Sequence, residues 1–274
     1  MSNPFAELSA TISPGLMQFY VVLMILLVVA GVILDMKHKQ SAKYFFANAK
    51  KAQKSAKRTL SDGEKTSLAI KTLTSEVLTS SEFCNEDRRK SHLMTMYGFI
   101  FFVLSTAVLI FGYSDPETST PFIWWALWHL GALSLCIGGY WFWFKIRVDV
   151  SSEGLPWNRV ERADLFILSL LGTATFALLW SITGAMLFFG LFIISSTVLF
   201  GGVYWSKFAH MFFKPAAAHQ KKITRADGSR ENLPDEYDLT DAEVQKKFPD
   251  IPEYMGKNPP NMGLGIKREK PNHY

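Results

Sequence analysis

The chain has 274 residues, 49% apolar and 14% aromatic, with 29 basic and 24 acidic side chains and a net charge of +5. Those charges fall in blocks separated by long uncharged runs, which excludes a soluble domain built from amphipathic elements. The basic excess comes with no nucleic-acid motif, so no nucleic-acid partner is expected, and lipid phosphate or an acidic protein face is the indicated counterpart.

Five apolar spans are predicted, at about 16–34, 91–113, 122–144, 164–184 and 186–209. Each is long enough to cross a hydrocarbon core of about 30 Å at about 1.5 Å per residue, and backbone groups in lipid must be satisfied within the segment, so each is a helix. The expected fold is an all-α integral membrane bundle of five transmembrane helices. Threaded alternately, it leaves residues 1–15, 114–121 and the turn near 184–186 on one side without a single Lys or Arg. The other side receives 13 basic residues in 37–90, four in 145–162 and twelve from Lys207 onward. Positive loops stay cytoplasmic, so the N-terminus is expected outside and the C-terminus inside.

Residues 1–36 are the outer N-terminus and first span, read as a retained anchor because it has no basic n-region and is followed by Lys37, Lys39 and Lys43. Residues 37–90 form a basic cytoplasmic segment. Lys37 to Lys57 should be helical, and after Ser61-Asp62-Gly63 a second helix opens, with Ser61 and Glu64 spaced as a capping box. Its ragged apolar stripe (Leu68, Ile70, Leu73, Val77, Leu78) suits a membrane surface or a cytoplasmic partner.

Residues 91–210 hold the remaining four spans. The uncharged run from Leu165 to Ser206 is too long for one crossing, and Thr183-Gly184 marks a tight hairpin. Gly131, Gly138, Gly139, Gly201 and Gly202 allow close helix approach or room for a flat macrocycle. Asp35 and Asp164 read as boundary acids. Residues 211–274 form a Pro-rich charged tail that cannot fold alone, with two helical turns at Asp241 to Lys247. Tyr237, Phe248, Ile251, Tyr254 and Met255 would anchor it on a partner, or the tail is disordered. Cys84 and Cys136 lie too far apart to pair, and two thiols cannot build a four-cysteine iron–sulfur site.

Three histidines lie in the spans or at their edges, where ionisable residues default to a functional reading. His92 opens the second span and His210 closes the fifth, both at the cytoplasmic level. Two imidazoles at matched depth on different helices are the ligand set of a six-coordinate b-type haem. Arg88, Arg89 and Lys207 stand at the level of haem propionates, or are topology charges facing lipid phosphate. His129, beside Trp124, Trp125 and Trp128, is either hydrogen-bonded between helices in an aromatic belt or the donor of a quinone pocket lined by Trp125 and Trp128.

The stretches Arg88-Arg89-Lys90-Ser91-His92-Leu93-Met94-Thr95-Met96-Tyr97-Gly98-Phe99 and Trp205-Ser206-Lys207-Phe208-Ala209-His210-Met211-Phe212 resemble the second and fifth helices of the five-helix membrane cytochrome b family. That family includes nitrate reductase gamma subunits and the membrane subunits of heterodisulfide reductases and quinone-interacting oxidoreductases. By layout the chain also resembles the membrane anchor of dissimilatory adenylylsulfate reductase. The resemblance covers roughly 88–214. It implies a subunit in a bacterial cytoplasmic membrane, carrying electrons between quinone and cytoplasmic flavin and iron–sulfur subunits, through one haem b held by His92 and His210. The family's second pair of haem ligands falls near Phe102 and Phe192, which cannot bind iron, so one haem is expected. The rival expectation is a haem-free anchor that docks the redox complex. A small transporter is disfavoured because the spans hold no central charged pair.

Overall fold

A computed structural model of the chain describes residues 3–81, 83, 85–149, 153–231, 233 and 242–247. The described residues are helical, with no strand among them. The helices are α1 (Pro4–Leu8), α2 (Pro14–Lys39), α3 (Ser41–Lys54), α4 (Asp62–Lys71), α5 (Glu86–Gly112), α6 (Phe122–Trp141), α7 (Leu165–Thr183), α8 (Met186–Gly201), α9 (His210–Ala226) and α10 (Ala242–Lys247). Four helical stretches, Pro14–Lys39, Glu86–Gly112, Phe122–Ile146 and Arg162–Thr183, are long and apolar enough to cross a membrane. Their outward faces carry large uncovered apolar side chains: Ile182 is 77% exposed and Leu130 59%. Contiguous surface of that kind is foreign to a water-facing bundle and suits a multi-pass membrane protein.

The fifth apolar segment differs from the expected 186–209. Helix α8 ends at Gly201 after 16 residues, about 24 Å long. Gly202 leaves helical geometry, Val203–Trp205 form one 3-10 turn, and Ser206 is extended before α9 begins at His210. Adjacent glycines are poor helix formers, so the double glycine is a stop. The hairpin at Thr183-Gly184 is present: Gly184 takes a left-handed φ of 67° and its N–H donates to the Trp180 carbonyl.

The chain divides into two compact units, Met1–Lys43 with Lys90–Lys214, and Tyr44–Arg89 with Pro215–Tyr274. In the first, α7 lies along α8 and against α6, and α2 against α8. Met17, Met24, Gly31 and Asp35 form the buried stripe of α2 at helical spacing. The Tyr20 hydroxyl joins α2 to α8 through Ser196 Oγ (2.8 Å), Thr197 Oγ1 (3.0 Å) and the Ile193 carbonyl (3.1 Å). Helices α5 and α6 touch through their glycines: a Cβ on Gly131 would stand 2.7 Å from the Phe102 nitrogen, and one on Gly138 2.8 Å from the Ser91 carbonyl oxygen. Those two glycines serve helix packing and leave no gap for a macrocycle. Short α1 was unforeseen. Asn3 donates to the Tyr113 carbonyl (2.7 Å), and Phe5 sits edge-on between Trp128 and Trp180.

In the second unit the capping box closes α4: Ser61 Oγ accepts from Glu64 N–H (3.2 Å), and Glu64 accepts from Ser61 N–H (2.9 Å). The stretch from Lys37 is interrupted by Gln40, which takes a left-handed φ of 51° and separates α2 from α3. The start of the tail is structured rather than loose. Arg58 Nε donates to the Ala226 carbonyl (2.7 Å), Lys222 pairs with Glu76 (3.2 Å), and Lys51 with Glu231 (2.6 Å). Ile70, Leu73 and Leu78 remain exposed. Cys84, Tyr237, Asp241, Phe248, Ile251, Tyr254 and Met255 lie outside the described residues.

Candidate functional site

His92 stands in the second turn of α5, whose first turn carries Glu86 and Asp87, acids that complement a helix N-terminus. The rotation of α5 is set by its neighbour Ser91, fully buried and donating to the Gly138 carbonyl at 2.8 Å, and by Ser134 Oγ donating to the Met94 carbonyl at 2.9 Å. With Ser91 turned onto α6, His92 lies about 100° further round the helix. Phe99, seven residues on, shares its face, and Phe99 packs against Phe208 with ring centroids 6.2 Å apart. Phe208 is 2% exposed and also meets Phe166 (5.5 Å) and Phe200 (6.1 Å). It precedes His210 by two residues. His210 does not close a span, as its place in the apolar run predicts; the glycine stop makes it the first residue of α9. The His210 side chain lies outside what is described.

Three cations were expected beside these imidazoles. Arg88 and Arg89 belong to the second unit and have local partners there: the Arg88 guanidinium stands 5.6 Å over Phe83, and Arg89 Nε donates to the Thr79 carbonyl at 2.8 Å. Lys207 stays in the first unit, exposed, two residues beyond Trp205.

His129 uses both ring nitrogens within the protein. Nδ1 contacts the Trp125 carbonyl and Nε2 the Ser181 hydroxyl, each at 2.8 Å. A carbonyl only accepts, so Nδ1 carries the proton in the neutral ring and Nε2 accepts from Ser181. The ring therefore bridges α6 to α7, and its one N–H is already donated to the Trp125 carbonyl, which leaves none for a quinone oxygen. Trp128 is fully buried, packs on Phe102 (5.3 Å) and donates its indole N–H to Thr106 Oγ1 (2.9 Å). It is core and lines no open slot. Trp125 stacks on Phe122 and meets the His129 ring at a tilt, with centroids 4.2 Å apart. Phe102 and Phe192 meet at 6.3 Å, with Trp180 stacked on Phe192, so aromatic packing fills the middle of the bundle.

Asp164 is no mere boundary acid. A π-helical turn, Phe142–Ile146, follows α6 and swings Arg147 inward, its N–H donating to the Phe142 carbonyl. The Arg147 side chain is 0% exposed, pairs with Asp164 at 2.5 Å, and donates to the carbonyls of Leu155, Pro156 and Arg159. Its guanidinium lies 4.3 Å over Trp143. Asp35 is likewise buried and pairs with Lys39 at 2.5 Å.

A groove of about 640 Å³ runs between α2 and the 3-10 turn, walled by Leu27, Ala30, Leu34, Tyr204 and Trp205. An adjoining recess of about 410 Å³ is lined by Lys39, Arg162 and Lys207. No motif announces this groove in the sequence, since its walls come from segments some 170 positions apart. No family model, curated protein or solved structure matches the chain.

Proposed function

We propose that the chain is a five-span membrane subunit with its N-terminus outside, and that it carries electrons between the quinone pool and a cytoplasmic redox enzyme. The reading keeps the resemblance to five-helix membrane cytochromes b, with adenylylsulfate reductase as the candidate partner. His92 and His210 would hold one b haem, which supplies reversible one-electron iron chemistry. The observation that carries the proposal is the contact of Phe99 with Phe208. It links the face of α5 that bears His92 to the chain entering His210. Two imidazoles are the donor set this group takes, and nothing else of matching chemistry is needed from the chain. Arg88, Arg89 and Lys207 would be the cations at the level of the haem propionates. The quinone slot is not assigned to His129, whose nitrogens are both engaged. The second unit, with Ile70 and Leu73 uncovered, would meet the soluble partner.

The test is the reduced-minus-oxidised absorbance spectrum of the full-length protein, purified in mild detergent after expression with haem supply. A b-type alpha band with one haem per chain, lost in both His92→Ala and His210→Ala and retained in His129→Ala, supports the conduit. Absence of any band in well-folded protein overturns it and leaves a haem-free anchor.

A further inference from the structure

The groove beside α2 combines two properties that seldom meet by accident. Along one wall Leu27, Ala30 and Leu34 follow one another up α2 over about 10 Å, and the chain opposite offers Gly201 and the ring of Trp205, itself 53% exposed. Close seating of the 3-10 turn on α2 creates the groove: a Cβ on Gly31 would stand 2.7 Å from the Val203 Cβ, so only glycine admits the turn there. At one end the apolar walls give way to cations. Lys37 lines the groove beside the His38 ring, and the adjoining recess adds Lys39, Arg162 and Lys207. The two hollows share His38, Tyr204 and Trp205, with the imidazole edge-on to the Tyr204 ring at 5.7 Å. The sole acid lining either is Asp35, already paired with Lys39. Nearby Asp164 and Glu161 are engaged by Arg147 and Arg159.

The geometry points to a binding site for one anionic glycerophospholipid, its phosphate between Lys37 and Arg162 and an acyl chain along Leu27, Ala30 and Leu34. Charge complementarity selects this occupant. A quinone is neutral and would leave the cationic end without a counter-ion, and free phosphate would leave the apolar walls in contact with nothing. Basic pockets at the end of membrane helices take anionic head groups for the same reason. The site rests on the membrane placement of α2 and is independent of any haem.

The probe is quenching of Trp205 by phosphatidylglycerol with brominated chains, against brominated phosphatidylcholine, in nanodiscs holding the full chain. Trp205→Phe identifies the share of emission that arises in the groove. That share should be quenched preferentially by the anionic lipid. Each basic residue near a membrane surface contributes about a fivefold preference, so the double variant Lys37→Gln/Arg162→Gln should lower the selectivity roughly thirtyfold. Ala30→Phe, filling the apolar wall at an exposed position, should lower access of both lipids while leaving the cations in place. Equal quenching by the two lipids, unchanged selectivity in the double variant, or displacement by millimolar inorganic phosphate alone or by a short-chain quinone would each overturn the assignment. Each readout is a ratio between two lipids on one preparation, so a change in haem content, which quenches Trp205 alike in both, leaves it unaffected.

Discussion

Removing the carboxylate of Asp164 should destabilise the first unit by about 3–5 kcal/mol, the usual cost of leaving one partner of a buried ion pair alone. Arg147 has no exposure and Asp164 little, so water cannot replace the lost charge. In Asp164→Asn the guanidinium keeps its three carbonyl acceptors and its seat over Trp143. Arg147→Ala loses more: the pair, the three bonds that gather residues 155–159, and the contact with Trp143, worth about 0.5–2 kcal/mol on its own. The Asp164 carboxylate then retains only the Glu161 N–H at 2.8 Å. Arg147→Ala should therefore be the worse of the two, and Arg147→Lys should rescue it incompletely, because an ammonium cannot span the same fork of acceptors. Equilibrium unfolding in mixed detergent measures the order. Limited trypsin digestion gives an independent readout, since Arg159 and Arg162 should be cut faster once the clamp opens. An Asp164→Asn protein within about 0.5 kcal/mol of wild type, with an unchanged tryptic pattern, would refute the idea that this pair organises the connection between α6 and α7.

Other outcomes follow from particular contacts. Gly131→Ala should cost about 1–3 kcal/mol by forcing α5 from α6, whereas Gly190→Ala, with open space around its Cβ, should stabilise α8 by up to about 1 kcal/mol; thermal melts of both variants compare them. Ser61→Ala should fray α4 at a cost of about 1 kcal/mol, read as faster amide exchange over 64–68. The Ser61 N–H and the Arg58 guanidinium hold the Glu64 carboxyl below its usual range. Its folded value lies beneath its unfolded value, so the cap is at full strength above about pH 4.3 and weakens as pH falls through the depressed folded value. Exchange at the start of α4 should quicken on acidification in wild type and respond less in Glu64→Gln. His129→Leu should loosen α6 against α7 by about 0.6 kcal/mol, the usual worth of an interhelical bond in a membrane, with Ser181→Ala giving a similar loss and the pair showing non-additivity in a double-mutant cycle.

The sequence by itself determined whatever depends on neighbours within a turn or two. Four long apolar helices, the hairpin at Gly184 and the capping box of Ser61 with Glu64 are of this kind, since hydrophobic length, a left-handed glycine and a three-residue cap spacing are all local properties. The stop at Gly201-Gly202 was also local, but the surrounding apolar run concealed it. Only tertiary structure decided the rest. Asp164 looks like any boundary acid until Arg147 is folded back onto it, and His129 reads equally as an interhelical bond or a quinone donor until Ser181, 52 positions away, takes its second nitrogen. Asn3 finds its acceptor at Tyr113, Arg58 at Ala226, and the lipid groove joins α2 to a turn beyond α8. A buried polar group must be satisfied by some partner, and one chain offers many of matching chemistry. Packing selects which of them comes within reach, and periodicity along the chain carries no record of that choice.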